Sequence, residues 1–131
     1  MGNLSKNFST HEFSCQHCNA VGIDTKLIVA LQQLRDITGK SIKISSGYRC
    51  PNHPLSIKSP TSQHSQGKAA DIIISGMSVE DMFDKAIMIP AFANGGIGVY
   101  DEGFIHVDVR DGKARWARIN GNYVGIDEFF K

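Results

Sequence analysis

Residues 104–110 read Phe-Ile-His-Val-Asp-Val-Arg, and the alternation of their side chains predicts a β-strand. One face of this strand would be apolar and belong to the core: Ile105, Val107 and Val109. The opposite face would carry Phe104, His106, Asp108 and Arg110. A solvated face of an antiparallel sheet would explain the polar side chains of this face but not Phe104.

A second candidate segment, Ser62-Gln63-His64, precedes the Ile-rich strand predicted at residues 69–75. Asp71 lies near the start of that strand, where a carboxylate is costly unless it is paired or binds a metal. Gly67 and the small residues after it would let the backbone fold back, so that His64 and Asp71 reach one point. A surface histidine and a capping aspartate are the alternative interpretation of this pair.

The two segments together supply two histidines and one or two carboxylates, which is a donor set that zinc accepts. Catalytic zinc usually has three protein ligands and a water. We therefore expect a hydrolytic zinc site with the ligands His64, Asp71 and His106.

The remaining pattern predicts an α+β fold with a mainly antiparallel sheet flanked by helices. Asp24 would cap a helix that ends before Gly39, and Ser78 would open a second helix that stops near Pro90. Asp111-Gly112 is typical of a tight hairpin. Further strands are predicted at residues 41–46, 95–100 and 113–119, and a long loop at residues 47–65.

The chain has 131 residues, which fits a single domain over 1–131. Within it, residues 1–22 would form an amino-terminal segment that packs on the core, and residues 119–131 a tail. The formal net charge of +1 gives no electrostatic case for nucleic acid. No apolar run approaches the ~18–20 residues of a membrane span. Because residues 1–6 lack an apolar signal core, we expect synthesis in a cytoplasm. A monomer is expected.

Three motifs resemble the family of zinc D-Ala-D-Ala carboxypeptidases and phage endolysin peptidases, whose zinc core is shared with the hedgehog signalling domain. The motifs are Ser45-Ser46-Gly47-Tyr48-Arg49, Ser62-x-His64-x-x-Gly67-x-Ala69-x-Asp71, and Gly96-Ile97-Gly98-Val99-Tyr100 followed by His106-Val107-Asp108. The resemblance implies that His64, Asp71 and His106 bind zinc and that Arg49 binds or polarises the substrate. It also implies bacterial peptidoglycan as the substrate. Tyr48 and Gln63 would line the cleft.

The sequence departs from this family at the general base. Many relatives have Glu or Asp three residues before the last histidine ligand, where this chain has Gly103. Asp108 is the favoured replacement because strand geometry places it beside the metal, and Asp101 or Glu102 are the alternatives. A rival hypothesis makes Asp108 a partner that orients a ligand.

A second, structural zinc is a further hypothesis. Cys15 and Cys18 form a Cys-x2-Cys pair, and Cys50 and His53 form a Cys-x2-His pair, which together match a Cys3His site. Three reduced thiols, or one disulfide with a remaining cysteine, are the alternatives.

The expected function is hydrolysis of peptidoglycan stem peptides or cross-links by an endopeptidase or a D,D-carboxypeptidase. A phage endolysin that acts on the cell wall after release at host lysis fits this expectation, and so does a virion component. The alternative from another class is a non-catalytic zinc-containing module that binds the cell wall or a protein.

Overall fold

The structure, a computed structural model, describes Phe8, residues 24–46 and residues 68–129. The described strands are β1 (Ile42–Ser46), β2 (Ala69–Ile74), β3 (Gly96–Tyr100), β4 (Phe104–Asp108), β5 (Ala114–Ile119) and β6 (Asn122–Val124). The described helices are α1 (Thr25–Thr38), α2 (Val79–Ala86), α3 (Pro90–Ala93) and α4 (Ile126–Phe129). None of these helices has the length and apolar composition that crossing a bilayer requires.

The predicted ends of α1 are confirmed and have clear local causes. The Asp24 carboxylate accepts a hydrogen bond from the Lys26 backbone N–H at 2.8 Å, which satisfies one of the free donors of the first turn. Gly39 ends the helix at a φ of 64°, a left-handed conformation that glycine adopts without a steric penalty. Its N–H donates to the Arg35 carbonyl.

The second predicted helix is present but ends before Pro90, and a further short helix that was not predicted begins there. Ser78 caps α2 as predicted, because its hydroxyl accepts from the Asp81 N–H. The helix ends at Ala86, and Pro90 then begins α3 as its first residue. A proline has no N–H to continue a preceding helix, but it suits the first turn of a new one.

The six strands form one sheet in the order β1-β2-β4-β3-β5-β6. Four of the neighbouring pairs are antiparallel, but β3 and β5 are parallel. The α+β class and the flanking helices are thus confirmed, and the sheet is mixed: it is mainly antiparallel but includes one parallel pair.

The predicted pairing across Asp111-Gly112 is wrong. The chain turns there, with Gly112 at a φ of 96°, but β4 already has β2 on one edge and β3 on the other. Because neither edge of β4 is available, β5 pairs with the outer edge of β3 instead.

The two faces of the sheet differ in chemistry. The helices and the buried Phe8 pack against one face, which carries the hydrophobic core. That face contributes Ala70, Ile72, Ile74, Ile97, Val99, Ile105 and Val107 to the core. The predicted apolar side of the strand at residues 104–110 is therefore confirmed, and its polar side lies on the sheet face that the core does not use.

Prediction for the core: Leu31→Ala on the buried face of α1 will lower the free energy of unfolding by about 2–5 kcal/mol, since it removes buried methyl groups and leaves a cavity. Val29 on the same helix is 51% exposed, and Val29→Ala should change stability by less than about 0.5 kcal/mol. Urea denaturation of both variants measures this difference, and equal losses would contradict the assignment of the core face.

Candidate metal centre

Asp71 and His106 lie directly opposite each other on the paired strands β2 and β4. Residues opposite each other in an antiparallel pair point to the same face, so both side chains project from the polar face of the sheet. His106 Nδ1 is 3.2 Å from Asp71 Oδ1. The two residues are only 6% and 9% exposed, which makes them a nearly buried polar pair.

Asp108 is on the same face of β4, two residues further along, and is 0% exposed. Its Oδ2 lies 2.7 Å from His106 Nε2 and accepts a hydrogen bond of 2.6 Å from Arg110 Nη2. Its Oδ1 accepts from the Gly96 N–H at 2.8 Å, from Arg110 Nε at 2.9 Å and from the Arg110 N–H at 3.2 Å. Five hydrogen bonds thus engage the two oxygens of one buried carboxylate.

These contacts keep the Asp108 carboxyl ionised. Burial alone would raise its pKa, but the hydrogen bonds from His106 and Arg110 and their charges hold the pKa well below its usual range. An ionised carboxylate only accepts hydrogen bonds, so His106 Nε2 must carry the proton. The other ring nitrogen, Nδ1, faces Asp71.

Nδ1 and the Asp71 carboxylate need a cation between them. A neutral imidazole with Nε2 protonated directs the lone pair of Nδ1 at a carboxylate oxygen, which also has only lone pairs to offer. A proton on Nδ1 resolves this conflict, and so does a metal ion. Although burial lowers the pKa of His106, hydrogen bonds to Asp108 and Asp71 raise it by more, so that the metal-free ring holds the proton above its usual range.

The two donor atoms fit a zinc ion by their separation and by their chemistry. Two ligands at about 2.0–2.1 Å in a tetrahedral site lie roughly 3.3–3.4 Å apart, close to the 3.2 Å between Nδ1 and Oδ1. The contact of Nε2 with Asp108 is the arrangement that commonly supports a metal-bound histidine. Asp71 and His106 therefore suit two positions of a zinc site.

Further ligands must come from elsewhere in the chain. Within Phe8, residues 24–46 and residues 68–129, no group of three or more His, Cys, Asp or Glu is arranged to hold a metal. His64, the third predicted ligand, lies outside the described residues, as do Arg49, Tyr48 and Gln63. The four residues of the hypothetical second zinc, Cys15, Cys18, Cys50 and His53, also lie outside them.

The two alternative bases are exposed in the turn between β3 and β4. Asp101 accepts a hydrogen bond of 2.9 Å from the Asn120 N–H and thereby joins this turn to the next. The Glu102 carboxylate is 3.7 Å from Arg118 Nη1 and remains 56% exposed. Gly103 has a φ of 106°, a conformation that side-chain-bearing residues rarely adopt, so the turn explains why no carboxylate occupies that position.

Trp116 is a part of the centre that the sequence did not reveal. Its ring lies 5.0 Å from the His106 ring, and its Nε1–H donates to the Tyr100 hydroxyl at 3.1 Å. Gly98 stands opposite both His106 and Trp116 in the sheet, and a Cβ there would collide with the indole. A Cβ at Gly96 would likewise collide with the Asp108 carboxylate. The Gly-x-Gly pattern of β3 was the available indication that two large groups lie over this strand.

Prediction for the glycine gap: Gly98→Ala will displace Trp116 and lower the free energy of unfolding by about 1–3 kcal/mol, because the indole has to leave its position beside His106. Trp116 is the single tryptophan of the chain, so its fluorescence reports the displacement directly. Gly125→Ala is the control, since its Cβ would meet nothing within 4 Å. An unchanged spectrum in Gly98→Ala would contradict the close approach.

Prediction for pH: the metal-free protein will lose stability as the pH rises above about 6.5, the ordinary pKa of histidine. The folded protein holds the His106 proton more tightly than the unfolded chain, so this contribution is complete below that value and disappears as the pH passes the raised folded pKa. Urea unfolding across this range, compared with His106→Gln, isolates the effect. Parallel pH profiles of the two proteins would count against the bridging proton.

Comparison with known proteins gives one match. The sequence model of the family described as Peptidase M15 matches residues 6–108, which include Asp71, His106 and Asp108. No curated protein and no solved structure matches the chain significantly. The family match confirms the resemblance drawn from the three motifs, while the likeness to the hedgehog zinc core stays a prediction.

Proposed function

The chain belongs to the M15 peptidase family, which is of the zinc D-Ala-D-Ala carboxypeptidase type, and we propose that it is a zinc peptidase of bacterial peptidoglycan. The proposed substrates are stem peptides or their cross-links. The observation that carries the proposal is the Asp71–His106 pair, in which a lone pair and a carboxylate converge at 3.2 Å and require a cation.

Asp71 and His106 would hold the zinc together with His64. The bound zinc would polarise the scissile carbonyl and lower the pKa of its water towards ~7. Asp108 would keep the His106 ring in the tautomer and the orientation that present the Nδ1 lone pair to the metal. Arg49 is proposed to bind the substrate or to stabilise negative charge that develops on the carbonyl oxygen.

The proton of the attacking water needs a carboxylate base. The assignment of this role to Asp108 stays a prediction, but the five hydrogen bonds of its carboxylate and its lowered pKa favour the rival hypothesis, in which it orients His106. The Glu102 carboxylate is 56% exposed, whereas the Asp101 carboxylate accepts a hydrogen bond from the Asn120 N–H. We therefore propose Glu102 ahead of Asp101 as the residue to test for the base.

The biological setting rests on the resemblance of the motifs to phage endolysins. We propose a monomer that acts on the cell wall after host lysis or as part of a virion. Whether the enzyme is an endopeptidase or a D,D-carboxypeptidase depends on whether the cleft is open or closed at the end that accepts a terminal carboxylate.

The decisive test is digestion of purified sacculi by the zinc-loaded protein, with mass spectrometry of the released fragments. We expect new amino groups from the wild type and a rate at least ~100-fold lower for Asp71→Asn, because a neutral amide is a poor zinc ligand. Asp36→Asn on the exposed side of α1 is the matched control and should digest at the wild-type rate. Fragments without a newly cleaved peptide bond would refute the peptidase proposal.

A non-catalytic zinc module is the second candidate, and the full engagement of Asp108 is the observation that favours it. If Asp108 cannot accept a proton and Glu102 is not the base, the centre would bind a metal without efficient hydrolysis. This alternative would be established if the zinc-loaded protein binds sacculi tightly and releases no amino groups, and if Glu102→Gln leaves that binding unchanged.

A further inference from the structure

We propose that Arg110 is the positioning residue of the metal centre: through Asp108 it fixes His106 so that Nδ1, and not Nε2, is presented to the metal. This inference rests on the proposed function only in assuming that zinc binds at Asp71 and His106. Arg110 would thus affect metal affinity although it is not a ligand.

The contact between Arg110 and Asp108 is bidentate. Nε and Nη2 of the guanidinium donate along one edge to both oxygens of the carboxylate, at 2.9 Å and 2.6 Å. The Arg110 N–H adds a third hydrogen bond of 3.2 Å to the same carboxylate. Two parallel bonds from a planar group fix the plane of the carboxylate as well as its position.

The carboxylate plane determines where the imidazole points. The same Oδ2 that accepts from Arg110 Nη2 lies 2.7 Å from His106 Nε2. The Gly96 N–H holds Oδ1, so rotation of the carboxylate would break bonds at both oxygens. Arg110 and the backbone of β3 therefore leave Oδ2 in a single position, from which it selects Nε2 as the protonated nitrogen.

Arg110 also provides the charge that makes the burial of Asp108 possible. Asp108 is fully buried, and a buried carboxylate without a cationic partner is strongly destabilised. His106 cannot supply that charge in the metal-bound state, because its Nδ1 then binds zinc instead of a proton. The guanidinium, which is always protonated, remains as the permanent counter-charge.

Trp116 packs beside both Arg110 and His106, the two side chains that Asp108 connects. The Arg110 guanidinium lies 5.3 Å from the centre of the indole ring, and the His106 ring lies 5.0 Å from it. The hydrogen bond from Trp116 to Tyr100 holds the indole in place. A cation over an aromatic face is attracted to it, so the indole limits the positions open to the guanidinium.

A lysine at position 110 would lack this geometry. Its ammonium is a point charge that cannot form two parallel bonds along one planar edge. If position matters as well as charge, Arg110→Lys will recover only part of the loss that Arg110→Met causes. If charge alone matters, the lysine variant will bind zinc like the wild type.

The experiment measures zinc affinity by competition with a chromophoric chelator. We expect Arg110→Met to bind zinc about 10–100-fold more weakly than the wild type, as is usual for groups that support a metal ligand. Arg118→Met is the matched control, because Arg118 lies over the Tyr123 ring on the same sheet face and has no contact with Asp108. Arg118→Met should keep the wild-type affinity.

A double-variant cycle separates positioning from general damage. If Arg110 acts through Asp108, Asp108→Asn combined with Arg110→Met will lose no more affinity than Asp108→Asn alone. Losses that multiply would overturn the inference. The ¹⁵N shifts of the His106 ring give a second readout that a merely structural role would not move: Nε2 protonated in the zinc-loaded wild type, and a mixture of tautomers in Arg110→Met.

The outcomes also distinguish this inference from the proposed function. A wild type that binds no zinc would remove the proposed function and this inference with it. A wild type that binds zinc, beside an Arg110→Met variant that folds and binds it equally well with the same tautomer, would overturn the role of Arg110 alone. Thermal unfolding of each metal-free variant shows which of them are folded.

Discussion

The whole centre depends on one buried carboxylate, that of Asp108. Its two oxygens connect three separate parts of the sheet: the His106 ring on β4, the Arg110 guanidinium just beyond that strand, and the β3 backbone at Gly96. A buried carboxylate is tolerated only where such partners exist. Because the partners are present, the charge of Asp108 fixes the imidazole, and the imidazole together with Asp71 defines the place for a cation.

The sheet can hold these buried polar groups because its two faces differ in composition. The main apolar core lies on the helix side, where alternate residues of β2, β3 and β4 pack together. The opposite face can then hold charged and polar groups without weakening the core, because each strand alternates its side chains. The glycines of β3 leave space on that face, so Trp116 from β5 can cover His106 across a strand that has no side chain in the way.

Part of this could be predicted from the sequence alone, and the reasons differ from residue to residue. The strand at residues 104–110 revealed the shared face of His106 and Asp108 because side-chain alternation is local. The pairing of Asp71 with His106 could not be derived, because the register between β2 and β4 is set by packing of the whole sheet. The parallel pairing of β5 with β3 was missed for the same reason, since a turn signal at Gly112 cannot tell which strand edge is free. The position of Trp116 over Gly98 follows from that pairing and was missed with it.

The two roles considered for Asp108 make opposite demands on one carboxyl group. A general base must accept a proton during the reaction, so its pKa has to lie near the working pH and at least one oxygen has to be reachable by water. An orienting partner must stay ionised and keep both oxygens engaged. Burial, the bidentate guanidinium and the Gly96 N–H all push Asp108 towards the second role. If the centre is hydrolytic, proton transfer must therefore fall to another group, and the exposed Glu102, in the turn that Gly103 completes, is the candidate proposed for it. Under the proposed function, the chain would have a catalytic carboxylate close in sequence to the family's usual position, and Asp108 would hold the histidine.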